Sequence, residues 1–265
     1  MSVLDEPFKI CAVNYLNTVP LVWGMLHGPQ RERVELSFAT PSACAGVVGK
    51  GAVHLGLNPI AEVARQNLEV MPGYGIACRG AVRSILLISQ KPLKQVQTLA
   101  TDSGSRTSVE LARVILRELY GVEPALQPHR PELEEMLAVC DAALLIGDAA
   151  LKIDPYTLPY QVLDLGAEWY ALTGLPMVFA LWSGRSAMPS RLGDVLEASY
   201  KFGHANIGQI VNAEWQARHV TRDLAYEYLT SYIRYEIGDE EWKGAEAFLE
   251  LSGLPTVNIT LAEAR

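Results

Sequence analysis

The chain has 265 residues, of which 49% are hydrophobic, and its 22 basic and 30 acidic residues give a formal net charge of −8. A soluble globular chain of this length can bury a sizeable core as one large or two modest domains. The acidic balance, with no basic block, disfavours nucleic acid or an anionic membrane as a partner. A small anionic ligand is still compatible with this charge, because backbone amides and one arginine can make a pocket locally positive.

The cysteines and the N-terminus indicate the compartment. Four cysteines are dispersed in apolar stretches without C-x-x-C spacing, which favours reduced, buried thiols in a cytosolic protein. The N-terminus carries acids where a signal peptide needs basic residues, and no segment approaches the length of a transmembrane span. We therefore expect a cytoplasmic protein that does not associate with membranes.

In the first half of the chain, short apolar runs alternate with segments typical of helices. This alternation predicts an α/β fold with largely parallel strands. The predicted strands are "FKICAV", "VELSFA" and "VHLGLNP", and the predicted helices are "TVPLVWGML", "PSACAGVVGKG" and "IAEVARQNL". The next segment, "GIACRGAVRSILLIS", has the length and β-rich character of a long strand that leaves one domain for another.

A second set of units follows. It comprises "TLATD", a helix over "TSVELARVILRELYG", "PALQPH", a helix over "PELEEMLAVC", and "AALLIG". The run "PMVFALWSG" predicts a second long strand. After it the sequence predicts helices at 189–212, 221–236 and 239–252.

The simplest arrangement of these elements is two α/β lobes. The first would contain residues 1–88 together with 183–265 and the C-terminal helices, and the second would contain residues 89–182. The chain would leave the first lobe near 85–90 and return near 178–184. Two crossings make a hinge, and a hinge between lobes makes a cleft for a ligand.

Three predicted helices begin with polar residues directly after a strand. Asn17 or Thr18 precedes the first helix, Thr40 precedes the second, and the segment 105–108 opens a later one. Helix N-termini attract anions, and open α/β sheets bind ligands at the edge where such turns lie. A ligand with two separated carboxylates would match helix starts from both lobes. Taken alone, a Ser, Thr or Asn at a helix start is more often an ordinary helix cap than a ligand-binding residue.

Two other segments leave their role open. Asp148 follows Gly147 at another strand-to-helix turn, where it could cap the next helix or bind a ligand. The segment "EWYALTGLP" carries aromatic residues near Thr173 and Gly174 that could wall a cleft or fill a core.

The sequence lacks the motifs of several common cofactor sites. It contains no H-x-x-x-H, no cysteine cluster, no P-loop and no G-x-G-x-x-G after a strand. We therefore expect neither a metal nor a bound cofactor.

Six segments, in order from about residue 9 to 183, together resemble the chorismate dehydratase (MqnA) family of the futalosine route to menaquinone. They are "VNYLNTVPL", "LGLNPIAE", "GAVRSILLIS", "TDSGSRTSVELARVIL", "DAALLIGDAAL" and "EWYALTGLPMVFALW". The resemblance implies a type II periplasmic-binding-protein fold that clamps a ligand between two lobes. It also implies a cofactor-free hydro-lyase that converts chorismate to 3-[(1-carboxyvinyl)oxy]benzoate and water.

The resemblance further implies residue roles. It implicates Asn17 and Ser84 in the reaction and the segment "SGSRTS" in binding a carboxylate. The full candidate substrate-binding set is Asn14, Tyr15, Thr18, Thr40, Ser42, Asn58, Ser105, Arg106, Thr107, Ser108, Asp148, Thr173 and Gly174. Neither Asn17 nor Ser84 is a strong base, so we hypothesise that the side-chain carboxylate of chorismate removes the proton.

Two other functions fit the same fold. One is a solute-binding protein for a small dicarboxylate, and the other is a related futalosine-pathway enzyme of the 1,4-dihydroxy-6-naphthoate synthase type. The "NYLNT" turn favours the dehydratase over the naphthoate synthase. The oligomeric state is open, with a homodimer as one alternative.

Overall fold

The computed structural model describes residues 6–102, 104, 106–185, 188–189 and 191–259, which form two β-sheets covered by helices. The strands are β1 (Phe8–Val13), β2 (Val34–Ala39), β3 (Leu55–Pro59), β4 (Glu69–Cys78), β5 (Ile85–Ser89), β6 (Thr98–Asp102), β7 (Ala125–His129), β8 (Ala142–Ile146), β9 (Gln161–Asp164), β10 (Met177–Gly184), β11 (Arg234–Ile237) and β12 (Asn258–Ile259). The helices are α1 (Val19–His27), α2 (Pro41–Gly49), α3 (Ile60–Arg65), α4 (Arg106–Ile115), α5 (Leu133–Val139), α6 (Gly147–Leu151), α7 (Leu165–Thr173), α8 (Arg191–Ala205), α9 (Ile207–Glu214), α10 (Arg222–Glu227) and α11 (Asp239–Leu251).

The two sheets have related but mixed topologies. The first has the strand order β11-β4-β10-β3-β1-β2, with β12 beside β4, and the second has the order β7-β6-β8-β5-β9. Strands β1, β2 and β3 pair in parallel, as do β6, β7 and β8. In contrast, β10 is antiparallel to β3 and β4, and β5 is antiparallel to β8 and β9. The expected parallel pairing thus holds where a helix connects neighbouring strands, but not for the two strands that enter a sheet from the other one.

The predicted long strand over residues 75–89 is in fact two strands in different sheets. β4 belongs to the first sheet and β5 to the second, and residues 79–84 connect them. The carboxylate of Asp164 accepts hydrogen bonds from the backbone N–H groups of Val82 (3.0 Å) and Arg83 (2.6 Å), and Arg83 has a φ of 65°. A distant side chain therefore holds this connection in a bent conformation that the local sequence does not reveal.

Strand membership also bears on the predicted lobe boundaries. Strand β10 lies wholly in the first sheet, so the return connection is at residues 174–176, just before it. Since β5 lies wholly in the second sheet, the sheets divide the chain several residues earlier than the predicted boundaries at 89 and 183. That the units 1–88 with 183–265 and 89–182 move as separate lobes stays a prediction.

The C-terminal part contains the main error in the predicted helices. The helix expected at 221–236 is wrong beyond residue 232: α10 continues into a π-helical turn, Tyr228–Tyr232, and the chain then forms strand β11. The side chains of β11 alternate between exposed and buried, as expected for an edge strand with one face on the core. The sequence analysis also missed β9 and α7. The N-cap of α7 is Asp164, whose carboxylate accepts hydrogen bonds from the N–H groups of Gly166 and Ala167.

Other features agree with the composition. All four cysteines are free and buried. Among the described residues, none of the helices is both long enough and apolar enough to cross a membrane.

Close packing of α1 against α8 covers the outer face of the first sheet. Ser199 on α8 donates a hydrogen bond of 2.8 Å to the carbonyl of Leu21 on α1. The helices approach so closely that a Cβ atom at Gly203 would overlap the backbone carbonyl of Pro20. The contact therefore requires glycine at this position.

We expect Gly203→Ala to lower the free energy of unfolding by about 1–3 kcal/mol, because the added methyl group would force the two helices apart. Gly208→Ala is the matched control, since Gly208 lies on the exposed side of α9 with no atom within 4 Å of an added Cβ. That control should leave stability unchanged or raise it by up to about 1 kcal/mol, because alanine favours helix. Urea unfolding of both variants checks this, and equal stabilities would show that the α1–α8 contact is looser than described.

Candidate functional site

A cavity that is partly open to solvent lies between the two sheets. The described residues that line it are Val13, Tyr15, Asn17, Thr18, Pro41, Leu57, Pro59, Ile76, Val82, Ser84, Ile85, Thr107, Ser108, Ile146, Gly147, Phe179 and Ala180. Among these lining residues there is no Asp, Glu, Lys, Arg or His. The polar groups of the cavity are thus neutral hydroxyl, amide and backbone groups on mostly apolar walls.

The turn after β1 brings three of the predicted residues to this cavity. Residues Leu16–Thr18 form a short 3-10 turn, and Tyr15, Asn17 and Thr18 all line the cavity. Thr18 precedes α1, but its side chain makes no capping hydrogen bond to that helix. The ordinary capping role is therefore absent here, and the Asn17 side chain has different partners.

Asn17 and Ser84 meet through a tyrosine that the sequence analysis missed. Asn17 Nδ2 donates a hydrogen bond of 3.0 Å to the hydroxyl of Tyr228, which in turn donates one of 2.8 Å to Ser84 Oγ. Tyr228 is only 1% exposed, and this burial raises the pKa of its hydroxyl well above its usual range. No local motif marks Tyr228, which lies in a segment whose pattern predicts only a helix.

Asn14 and Asp148 do not line the cavity, but both bind residues next to it. The Asp148 carboxylate accepts hydrogen bonds from the N–H of Leu16 (3.0 Å) and from Arg218 (2.6 Å). Arg218 also donates to the Asn14 side chain (2.8 Å) and to its backbone carbonyl (2.9 Å). Asp148 is not the N-cap of α6, a position held by Ile146. It links α6 to the turn after β1 and to the segment that follows α9.

Arg218 is a second residue that the sequence analysis missed. Burial lowers the pKa of its guanidinium, but the carboxylates of Asp148 and Glu214 outweigh this effect and raise the pKa above its ordinary value. The arginine therefore stays charged and links Asn14, which follows β1 of the first sheet, to Asp148 on α6, which follows β8 of the second.

The start of α4 contributes hydroxyl groups from the second sheet. Thr107 and Ser108 are buried and line the cavity, and Thr107 Oγ1 accepts a hydrogen bond of 3.2 Å from the N–H of Ala61 at the start of α3. Arg106 does not line the cavity; its side chain is 57% exposed and lies 3.7 Å from Glu62. Ser105 lies outside the described residues.

The other predicted binding residues lie away from the cavity lining. Thr40 borders an adjoining depression that includes Asn14 and shares Val13, Tyr15 and Pro41 with the cavity. Ser42 is half-buried on α2, where only its neighbour Pro41 reaches the cavity. Asn58 is fully buried, and its amide donates a hydrogen bond of 2.9 Å to Ser183 Oγ on β10.

Thr173 and Gly174 form the end of α7. The Thr173 hydroxyl donates a hydrogen bond of 2.8 Å to the carbonyl of Trp169, and Gly174 ends the helix with a φ of 72°. The indole of Trp169 is fully buried and donates to the carbonyl of Pro176. Of the two roles considered for this segment, Trp169 fills the core and does not wall the cleft.

The aromatic ring of Tyr15 packs directly on Gly147, the first residue of α6. A Cβ atom at Gly147 would lie 2.9 Å from the Tyr15 ring, and Gly147 has a φ of 56°. The Gly147 N–H donates a hydrogen bond of 2.8 Å to the carbonyl of Ser84. Burial, together with the charges of Asp102 and Asp148, raises the pKa of the Tyr15 hydroxyl, which therefore stays protonated.

The described residues contain no group of three or more His, Cys, Asp or Glu side chains placed to hold a metal ion.

Two mixed sheets joined by two connections, with a cavity between them, define a periplasmic-binding-protein-like fold. The chain superposes on the periplasmic aliphatic sulphonate binding protein of Escherichia coli with a TM-score of 0.61 at 12% identity, over 98% of this chain and 95% of that one. It superposes on a protein of Archaeoglobus fulgidus with a TM-score of 0.76 at 14% identity, over 94% and 98% of the two chains. At these identities the likeness concerns the fold alone.

The chain belongs to the menaquinone biosynthesis family, whose model matches residues 8–253. A curated relative, the chorismate dehydratase of Thermus thermophilus, is 28% identical over 269 residues, which cover 94% of this chain and 97% of that protein.

We expect Gly147→Ala to weaken ligand binding in the cavity and to lower stability, because its methyl group would strike the Tyr15 ring. Gly121→Ala is the matched control, since Gly121 has a similar φ of 69° but no atom within 4 Å of an added Cβ. Both variants carry the cost of a left-handed backbone, of the order of 1–2 kcal/mol, and only the first adds the clash. Melting temperatures compare the two, and a Gly147→Ala protein as stable as the control would contradict the Tyr15–Gly147 contact.

Proposed function

We propose that the protein is a chorismate dehydratase, which converts chorismate to 3-[(1-carboxyvinyl)oxy]benzoate and water on the futalosine route to menaquinone. Membership of the menaquinone biosynthesis family and the likeness to the Thermus thermophilus enzyme support this proposal. The observation that carries it is the pair Asn17 and Ser84, joined through Tyr228 at the wall of a cavity lined by uncharged side chains.

The reaction removes one proton and one hydroxyl from neighbouring ring carbons of chorismate. The proton leaves the carbon that bears the enolpyruvyl ether, the C–O bond to the adjacent hydroxyl breaks, and the ring becomes aromatic. The ring carboxylate acidifies this proton through the conjugated double bonds. No redox change occurs, so the balance of the reaction requires no cofactor, and we propose a cofactor-free carbon–oxygen lyase.

The proton needs a base, and the cavity wall offers a poor one. Tyr15 is the one titratable side chain among the described lining residues, and its raised pKa keeps it protonated. We therefore assign the base to the substrate: the side-chain carboxylate takes the proton and passes it to the departing hydroxyl, which leaves as water. Every atom is then accounted for without a protein base.

The protein would bind and polarise the substrate. Asn17 and Ser84 can donate hydrogen bonds to the departing hydroxyl and position the side-chain carboxylate, in the manner of an oxyanion hole. Thr107 and Ser108, with the backbone N–H groups at the start of α4, suit a carboxylate of the substrate. Arg106, at the exposed end of the same helix start, is the proposed cation partner that attracts the dianion.

We also propose a cytoplasmic location. The free, buried state of all four thiols is compatible with a reducing compartment.

A role as a receptor for a small dicarboxylate would leave bound chorismate unchanged, and a naphthoate synthase would act on a later pathway intermediate. Incubation with chorismate and with that intermediate, followed by ultraviolet absorbance of the aromatic product, separates the three functions.

The sharpest test of the proposed mechanism is at Asn17. Asn17→Ala should lower turnover of chorismate by about 10² to 10³ with little change in binding, the scale seen when one preorganised donor is lost. Asn17→Asp should bind chorismate more weakly than Asn17→Ala, because it places a negative charge beside a dianion. Asn212→Ala is the control, since Asn212 is exposed and contacts Arg222 away from the cavity.

Turnover, chorismate affinity and melting temperature together decide the outcome. An Asn17→Asp protein that is stable and fully active would show that Asn17 serves the structure of the turn and not the reaction.

A further inference from the structure

Tyr228 occupies an unusual place in the backbone. It is the first residue of the π-helical turn Tyr228–Tyr232, where the chain leaves α10 and heads for the edge strand β11. Short π-helical turns within helices occur frequently at functional sites, because the extra residue re-aims a side chain. Here the Tyr228 hydroxyl reaches two side chains from distant parts of the chain, Asn17 and Ser84.

The hydrogen bonds at Tyr228 have a direction. The hydroxyl carries a single proton, and this proton is donated to Ser84 Oγ. Tyr228 therefore meets Asn17 as an acceptor, which requires the NH₂ side of the Asn17 amide to face it. Thr18 Oγ1 lies 3.5 Å from Asn17 Oδ1 on the opposite side of the amide, in agreement with this orientation.

The contact with Tyr228 leaves the hydroxyl proton of Ser84 available for a second hydrogen bond. Its oxygen accepts from Tyr228, and its own proton has no acceptor within the part of the chain that the structure describes. Ser84 is 2% exposed and lines the cavity, so its proton can point toward a group bound there. The Asn17 side chain also lines the cavity, and its second N–H has no acceptor among the described residues.

We propose that Tyr228 is a positioning residue that orients Asn17 and Ser84 so that both present hydrogen-bond donors to the substrate. The inference rests on the proposed dehydratase function for its substrate, but the geometry concerns this chain alone. Without the Tyr228 hydroxyl, the Asn17 amide could turn its oxygen into the cavity and the Ser84 proton could point away. An oxygen turned toward a dianion would oppose the transition state that the donors stabilise.

Tyr228 acts by orientation and not by proton transfer. Burial holds its pKa far above neutrality, so the hydroxyl keeps its proton throughout the working pH range of the protein. Changes in pH between about 6 and 9 should therefore leave the contribution of Tyr228 unchanged.

The test compares Tyr228→Phe with Tyr235→Phe. Tyr235 on β11 is 4% exposed, and its buried hydroxyl has no hydrogen-bond partner among the described residues. Both variants remove one buried hydroxyl, but only the first removes the two hydrogen bonds. Tyr228→Phe should lower kcat for chorismate by about 10- to 100-fold and change KM by less than about threefold, whereas Tyr235→Phe should match the wild type.

A combined variant distinguishes the orienting role of Tyr228 from a merely structural role. Adding Tyr228→Phe to a protein that already carries Asn17→Ala and Ser84→Ala should change kcat by less than about threefold, because the partners are gone. If Tyr228→Phe alone leaves kcat unchanged, or lowers it equally in the combined variant, the inference is wrong.

A second measurement does not depend on turnover. The side-chain amide pair of Asn17 in ¹⁵N-labelled protein, assigned by its loss in Asn17→Ala, should shift in Tyr228→Phe and stay in place in Tyr235→Phe. If Tyr228→Phe does not fold, Ser84→Ala should shift the same pair, because it frees the Tyr228 proton to turn toward Asn17. A wild type that leaves chorismate unchanged would refute the proposed function, and an unshifted amide pair would refute the orienting role of Tyr228.

Discussion

One buried hydroxyl group joins three of the parts of the chain that form the site. Tyr228 contacts Asn17 in the turn after β1 and Ser84 in the connection that enters the second sheet. The hydroxyl is fully enclosed, so each of its hydrogen bonds must be made by protein, and a misplaced segment would leave a buried polar group unpaired. The positions of three segments are therefore coupled: the π-helical turn Tyr228–Tyr232, the turn after β1, and the connection between the sheets.

A second set of contacts fixes the same segments from the other side. Asp148 binds the backbone of the turn after β1, and Arg218 binds both Asp148 and Asn14. Neither Asp148 nor Arg218 lines the cavity. The arrangement separates two tasks: charged pairs hold the walls together, while neutral polar groups line the cavity. For a dianionic substrate that supplies its own base, a wall without carboxylates avoids repulsion, and a wall without lysines leaves the substrate carboxylate basic enough to take a proton.

Local patterns in the sequence predicted most of the regular structure. The strand Phe8–Val13 and the helix Pro41–Gly49 follow from apolar runs bounded by turn residues, and both were placed within a few residues. The predictions failed where a distant partner decides the backbone. The break between β4 and β5 depends on the Asp164 carboxylate, which binds the N–H groups of Val82 and Arg83 from far along the chain. The end of α10 depends on β11 pairing with β4.

The candidate site divides in the same way. The sequence by itself determined that polar groups lie at the starts of helices after strands, and through the family resemblance it singled out Asn17 and Ser84. It also determined that Thr107 and Ser108 open a helix, because capping and strand-to-helix turns are local. Only the tertiary structure decided that Tyr228 lies between Asn17 and Ser84 and that Arg218 pairs with Asp148. Those contacts join residues far apart in the chain. Hydrogen bonds of that kind depend on how the sheets pack, so the residues that make them show no periodicity or motif in the sequence.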